Sequence, residues 1–182
     1  QYLQFFKAVA DKTREMILHW QRVGFVHGVM NTDNMSIHGI TIDYGPYGWL
    51  ENYDPNWTPN TTDSQYRRYR FGNQPQIAQW NLYQLANAIY PLINEAEPLE
   101  KILESFMIDF ESDYKSMFLS KLGLFISTET DNTLIDGLET VLQLSETDMT
   151  IFFRNLSSVQ KSDSPEKAIE RIQDSFYIPE QI

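Results

Sequence analysis

Three observations predict a mainly α-helical fold with a small β-hairpin element. Apolar residues recur at helical spacing at the start of the chain. They break into short, glycine-punctuated pieces between Val26 and Asp43, and the helical period then returns from Pro75 onward. Leu3, Phe6, Ala10, Thr13, Ile17 and Trp20 form the first stripe, and Gly24 is placed to end that helix. Val29-Met30, Met35-Ser36-Ile37 and Ile40-Thr41-Ile42 suit very short strands joined by tight turns. Residues 44–75 then make a long connection rich in Tyr, Trp, Asn and Pro. Structureless connections of that length are uncommon in compact domains and often functional.

The second half reads as helices. Ile77, Trp80, Leu82, Leu85, Ile89 and Leu92 follow a proline at a helix start. Leu99, Leu103, Phe106, Phe110, Tyr114, Phe118 and Leu122 predict a long amphipathic helix that Gly123 stops. Asp131 is placed to cap a third helix carrying Leu134, Leu138, Val141 and Leu142. Ser145-Glu-Thr-Asp148 resembles a capping box with Asp in place of Glu, and predicts a fourth start. Ser164-Pro165-Glu166 opens a fifth.

Composition narrows the function. A chain of 182 residues can build one domain with a real core. With 25 acidic against 14 basic residues the net charge is −11, which argues against a nucleic-acid partner. Residues 1–75 hold 7 of each sign, so the excess belongs entirely to the later helices and reads as a solvated surface. No cysteine is present, which removes disulfides, thiol nucleophiles and cysteine-ligated metals. No apolar run nears the roughly 20 residues of a membrane helix, so a soluble chain with no membrane partner is expected. The chain opens on Gln1 and not Met, which suggests an internal piece of a longer protein.

The chemistry concentrates in His27-Gly-Val-Met-Asn-Thr-Asp-Asn-Met-Ser36 and Ile40-Thr-Ile-Asp-Tyr-Gly45. A helix leads into a loop bearing Asp33 and Asn34, and a hairpin follows whose second strand delivers Asp43 ahead of Tyr44-Gly45. A protein-kinase C-lobe presents its catalytic loop and its Asp-x-Gly metal ligand in this order. An Asn and an Asp are enough protein ligands for Mg²⁺ when phosphates and water complete its shell. By themselves Asp33 and Asn34 are compatible with an ordinary turn. The Asp43-Tyr-Gly45 segment at the right separation favours an active site. The pattern has one fault: two residues after His27, where kinases carry the catalytic Asp, stands Val29. Either the site is dead, or Asp33 has taken the basic role from a shifted position.

His27 is read as structural, bonding the loop backbone, and His38 as a solvated residue at the hairpin tip. No second His stands at metal spacing, which argues against zinc. Segment 44–75 is either a protein-substrate platform or packing under a long loop. Arg67, Arg68 and Arg70, the only basic cluster, are expected to pair with the acidic helices in preference to phosphates.

The two blocks above, with Arg70-Phe-Gly-Asn-Gln-Pro-Gln-Ile-Ala-Gln-Trp-Asn-Leu82, resemble the selenoprotein O (SelO, or YdiU) family of kinase-fold protein adenylyltransferases. They cover roughly residues 22–90. The resemblance implies transfer of AMP from ATP to a protein Ser, Thr or Tyr hydroxyl, with release of pyrophosphate. It implies Asp33 as catalytic base, and Asn34 and Asp43 as ligands of Mg²⁺ (or Mn²⁺) that bind the ATP phosphates through the metal. It places the chain as one C-lobe fragment, inactive alone. Residues 1–24 would be the helix leading in, 25–45 the catalytic loop and metal-binding hairpin, 46–75 an activation-segment-like loop, and 76–182 a helical subdomain. The partners implied are ATP, protein substrates and an N-terminal lobe whose Lys–Glu pair and phosphate-covering loop this sequence does not show. A cytoplasmic location is implied in a bacterium, or a mitochondrial one in a eukaryote. The open alternatives are an ordinary γ-phosphoryl kinase-like enzyme and a catalytically silent helical partner-binding module.

Overall fold

The structure is a computed structural model, and it describes residues 1–125 and 131–178. Two compact units make it up: Gln1–Trp49 with Pro55–Tyr114, and Leu50–Asp54 with Lys115–Ile182.

The first unit is built on three helices. Helix α1 (Tyr2–Val23) buries Phe6, Val9, Ala10, Thr13, Met16, Ile17, Trp20 and Gln21, the face that the spacing predicts. Gly24 ends it in the left-handed conformation, φ 71°, which glycine adopts without steric penalty. Helix α2 (Gln74–Ile93) starts with Pro75 in its first turn and ends at Asn94, again left-handed. Helix α3 (Glu97–Lys121) carries Glu97 and Glu100 in its first turn and Lys121 in its last, complementing the helix dipole. Phe6, Ile17 and Trp20 of α1 pack with Ile77, Ala78 and Leu82 of α2 and Leu99, Phe106 and Phe110 of α3. At the edge of this core, Arg14 bonds Asp109 at 3.1 Å and Asp113 at 2.9 Å, tying α1 to α3.

The β element differs from expectation. Strand β1 (Phe25–Val26) pairs antiparallel with β2 (Gly48–Trp49), with Phe25 opposite Trp49 and Val26 opposite Gly48. The expected hairpin of Met35–Ile37 with Ile40–Ile42 has no ladder. A turn does close there, from the Gly39 N–H to the Ser36 carbonyl. The carbonyl of Ile42, however, is taken by the His27 ring, and Asp43 has φ 55°, which breaks the extended run. Asp43 thus sits on an irregular segment and not on a strand.

In the second unit, α4 (Asp131–Leu144) and α5 (Met149–Leu156) contribute Ile135, Leu142, Met149 and Phe152, and the end of α3 contributes Met117, Phe118 and Leu119. Phe152 meets Phe153 and Phe176 edge-on. The expected capping box is corrected: the cap of α5 is Asp148 itself, whose side chain accepts from the Ile151 N–H at 2.8 Å. No helix opens at 146–148 because Thr147 and Asp148 are extended and bridged to other segments, with bonds from Tyr53 to Thr147, Tyr177 to Glu146 and Asp148 to Ser175. Ser164 caps α6 (Pro165–Ile172) as expected, accepting from the Lys167 N–H. Among the described residues no helix is long and apolar enough to cross a membrane.

Asp163, just before that cap, accepts from the Gln160 N–H at 2.8 Å, from Lys167 at 3.0 Å and from Arg171 at 2.8 Å. The backbone bond first, then the two cations, hold its carboxyl down at about 2, from an ordinary 3.8. A carboxyl lowered on folding stabilises the fold above its unfolded pKa, and the contribution is lost as pH falls through the folded value. Asp163→Asn should therefore lower the thermal midpoint at pH 7. The deficit should shrink between about pH 4 and pH 2, followed by circular dichroism. A deficit of constant size across that range contradicts the assignment.

Candidate functional site

Between β1 and Asn31 the chain is irregular and largely buried, so its backbone polar groups need partners other than a sheet. Side-chain amides supply them. Gln74, at the start of α2, accepts from the His27 N–H at 3.0 Å and donates to the Phe25 carbonyl at 2.9 Å. Asn60 donates to the Gly28 carbonyl, Asn34 to the Val29 carbonyl and Asn81 to the Met30 carbonyl, each at 3.0 Å. Gly28 has φ 81°, and a Cβ there would stand 2.5 Å from the Pro46 carbonyl oxygen, so only glycine permits this approach.

His27 joins the two halves of the site. It is buried, with its Nε2 2.8 Å from the Ile42 carbonyl and its Nδ1 accepting from the Val29 N–H at 3.4 Å. Those contacts select the tautomer with the proton on Nε2. Trp20 stacks on the imidazole at 5.5 Å and donates its indole N–H to Thr41 at 2.9 Å. Two consecutive residues before Asp43 are therefore tied to the end of α1 and to the loop. The structural reading of His27 describes these bonds. His38 is exposed in the turn, its N–H bonded to Ser36 Oγ.

Of the predicted site residues, Asp33 and Asn34 share one short 3₁₀ turn, Thr32–Asn34, with Asp33 exposed and Asn34 half-buried. Asp43 is exposed on the segment that His27 anchors, and the Gly45 N–H closes a tight turn onto its carbonyl at 2.7 Å. Its left-handed φ is unusual for a residue other than glycine, though Asp tolerates it better than most. Val29 holds the Asn34 amide through its carbonyl and the His27 ring through its N–H, so Asn34 and the Asp43 segment hang from one residue. Among the described residues no three His, Asp or Glu side chains converge as a metal cage. Asn34 and Asp43 instead present two hard oxygen donors. That set fits Mg²⁺ or Mn²⁺ when phosphate oxygens complete the shell.

The sequence reading missed the amides. Gln74 and Asn81, seven residues apart, are buried on the α2 face that also buries Ile77, Ala78 and Leu82. A polar pair on an apolar stripe was the available signal. The expected pairing of Arg67, Arg68 and Arg70 with acidic helices is also corrected. Arg67 donates to the Asn56 carbonyl and Arg70 to the Arg67 carbonyl, while Arg68 lies over the Trp80 ring at 4.9 Å. Tyr69, between them, donates its hydroxyl to Asn31, the residue that precedes the Asp33 turn. Near Asp43, Tyr44, Tyr47 and Trp49 are exposed and contact one another and Phe25 mostly edge-on.

A family model described as "Protein adenylyltransferase SelO" matches residues 1–179. The chain is 84% identical over its whole length to "Protein nucleotidyltransferase YdiU" of Flavobacterium johnsoniae, of which it covers 35%. It is 62% identical over 156 residues to the protein of the same name from Rhodopirellula baltica, and 52% identical over 177 residues to that from Aromatoleum aromaticum. The chain spans about a third of the length of these curated relatives. A match over residues 1–179, nearly the whole chain, places this kinase-like chain in the SelO family.

Proposed function

We propose that this chain is the C-lobe part of a protein adenylyltransferase that moves AMP from ATP onto Ser, Thr or Tyr hydroxyls of proteins. The observation that carries the reading is the shared anchoring of Asn34 and the Asp43 segment on Val29 through Asn34 and His27. Chemistry at a phosphate needs little covalent help from the protein and depends on positioning and charge. The family name and the relatives' names support transfer of a nucleotidyl group.

In this reading the acceptor oxygen bonds to the α-phosphorus, the bond to the β-phosphate bridging oxygen breaks, and pyrophosphate leaves. The acceptor proton passes to the Asp33 carboxylate, which is exposed and can meet a protein hydroxyl. Asn34 and Asp43 would hold Mg²⁺ or Mn²⁺, which supplies positive charge against the phosphates. The Asn34 nitrogen is committed to the Val29 carbonyl, and its oxygen is the atom left to ligate. Val29, whose side chain cannot take a proton, supports the shifted base over an ordinary kinase arrangement. The segment alone is expected to be inactive, because it spans about a third of its relatives' length and the resemblance assigns the nucleotide-clamping groups to an N-terminal lobe.

The test uses the full-length protein and ATP labelled at either the α- or the γ-phosphate. Label from α should become protein-bound; label from γ would instead mark a kinase, and neither label a silent module. Asp43→Ala should cut transfer by at least about a hundredfold, and retained transfer would sink the ligand assignment. His27→Phe keeps a ring against Trp20 but loses both bonds. Its kcat should fall about ten- to a hundredfold with the acceptor KM little changed, since misplacement of the site by an ångström costs that much.

A further inference from the structure

We propose that Arg67, Arg68 and Arg70 form a ridge that selects acidic segments of the protein acceptor, beside the hydroxyl that Asp33 receives. The inference rests on the reading of Asp33 as the acceptor-side carboxylate.

These are three guanidinium groups within four residues of a chain whose net charge is −11. Among the described residues none of the three forms an ion pair with a carboxylate. Each guanidinium carries five N–H donors in a planar fork that matches a carboxylate. The structure uses few of them: one bond from Arg67 to the Asn56 carbonyl at 3.3 Å, and one from Arg70 to the Arg67 carbonyl at 3.2 Å. Arg68 lies over the Trp80 and Tyr69 rings at 4.9 and 5.7 Å. Asp63, the nearest acid in the sequence, turns both carboxylate oxygens to backbone, accepting from the Arg68 and Tyr69 N–H groups at 2.9 and 2.7 Å. It folds the ridge without pairing with it.

Two further observations place the ridge. Arg67 has φ 47°, a conformation that disfavours a long side chain, and bonds from its N–H to Asp63 and from the Arg70 N–H to its own carbonyl hold it there. The Tyr69 hydroxyl donates to Asn31, so the ridge is moored to the turn that carries Asp33. An acceptor whose hydroxyl reaches Asp33 would bring residues a few positions away toward these arginines, at roughly 3.3 Å per extended residue. Charges farther apart than about 8 Å are largely screened at physiological salt, so an acidic segment responds to the arginines it touches more than to the net charge of the chain.

The experiment compares two fluorescent peptides on the full-length protein. Both carry one Tyr; its flanks are four Glu in one and four Gln in the other. Anisotropy should show the Glu peptide bound at least tenfold tighter, with the advantage shrinking as salt rises. In Arg67→Glu/Arg68→Glu the advantage should vanish, while binding of the Gln peptide and the KM for ATP stay unchanged. Arg67→Gln and Arg70→Gln, milder changes checked by thermal melting, should each reduce it in part. The salt dependence of the unmodified protein needs no variant at all. Equal binding of the two peptides, an advantage that survives charge reversal, a raised KM for ATP, or equally tight binding of a thymidine oligonucleotide of matching charge each overturns the proposal. Transfer of α-label is measured in parallel. Its absence beside intact peptide discrimination defeats the transfer reading alone, and the converse defeats the ridge alone.

Discussion

The constraint on which the site depends is the pairing of buried backbone in a stretch that forms no sheet. From Phe25 to Met30 the chain passes through the interior of the first unit, where each unpaired carbonyl or N–H would cost about 1–3 kcal/mol. A two-residue strand satisfies only the beginning. The rest is satisfied by Gln74, Asn60, Asn34, Asn81 and the His27 ring. Such bonds fix the loop's path residue by residue, because each amide reaches a different carbonyl. Helix α2 supplies two of them, so the helix that completes the core also positions the loop.

This division of labour accounts for what could be read from the sequence. The helices were legible because burial imposes a 3.6-residue period, and Gly24, Pro75 and Ser164 mark their ends by backbone chemistry that acts locally. The candidate residues were legible because Asp33, Asn34 and Asp43 stand at fixed separations from His27. The partner of β1 was not legible. The short apolar pieces at 35–37 and 40–42 have the composition of strands, and what breaks the extended run is the claim of the His27 ring on the Ile42 carbonyl and of the Gly45 N–H on the Asp43 carbonyl. Neither claim leaves a periodic trace. The amides were hidden for the same reason: a buried Gln is indistinguishable in sequence from an exposed one until its helix face is known.

Capping at α5 makes the point on a smaller scale. Ser145 and Asp148 have capping-box spacing, yet the backbone between them is committed to other segments on both sides. With Thr147 and Asp148 held extended, the first position free to start a helix is the one after Asp148, and Asp148 is itself a competent cap. Local preference pointed to a start at Ser145, and tertiary hydrogen bonding moved it to Asp148.

The substitution of Val29 for an acid follows the same logic within the loop. Its N–H and carbonyl serve as the node that carries His27 and Asn34, and its surroundings are half-buried. An ionised carboxylate there would face a desolvation cost beside groups already paired with one another. Four residues further on, the backbone emerges, and Asp33 stands exposed in a turn closed by the Asn34 N–H on the Asn31 carbonyl at 3.0 Å. The buried half of the loop is thus scaffold and the exposed half is where proton transfer is proposed. In that proposal a carboxylate at position 33 instead of 29 separates the two roles, keeping a charge out of the hydrogen-bonded scaffold and placing the acid on the exposed turn.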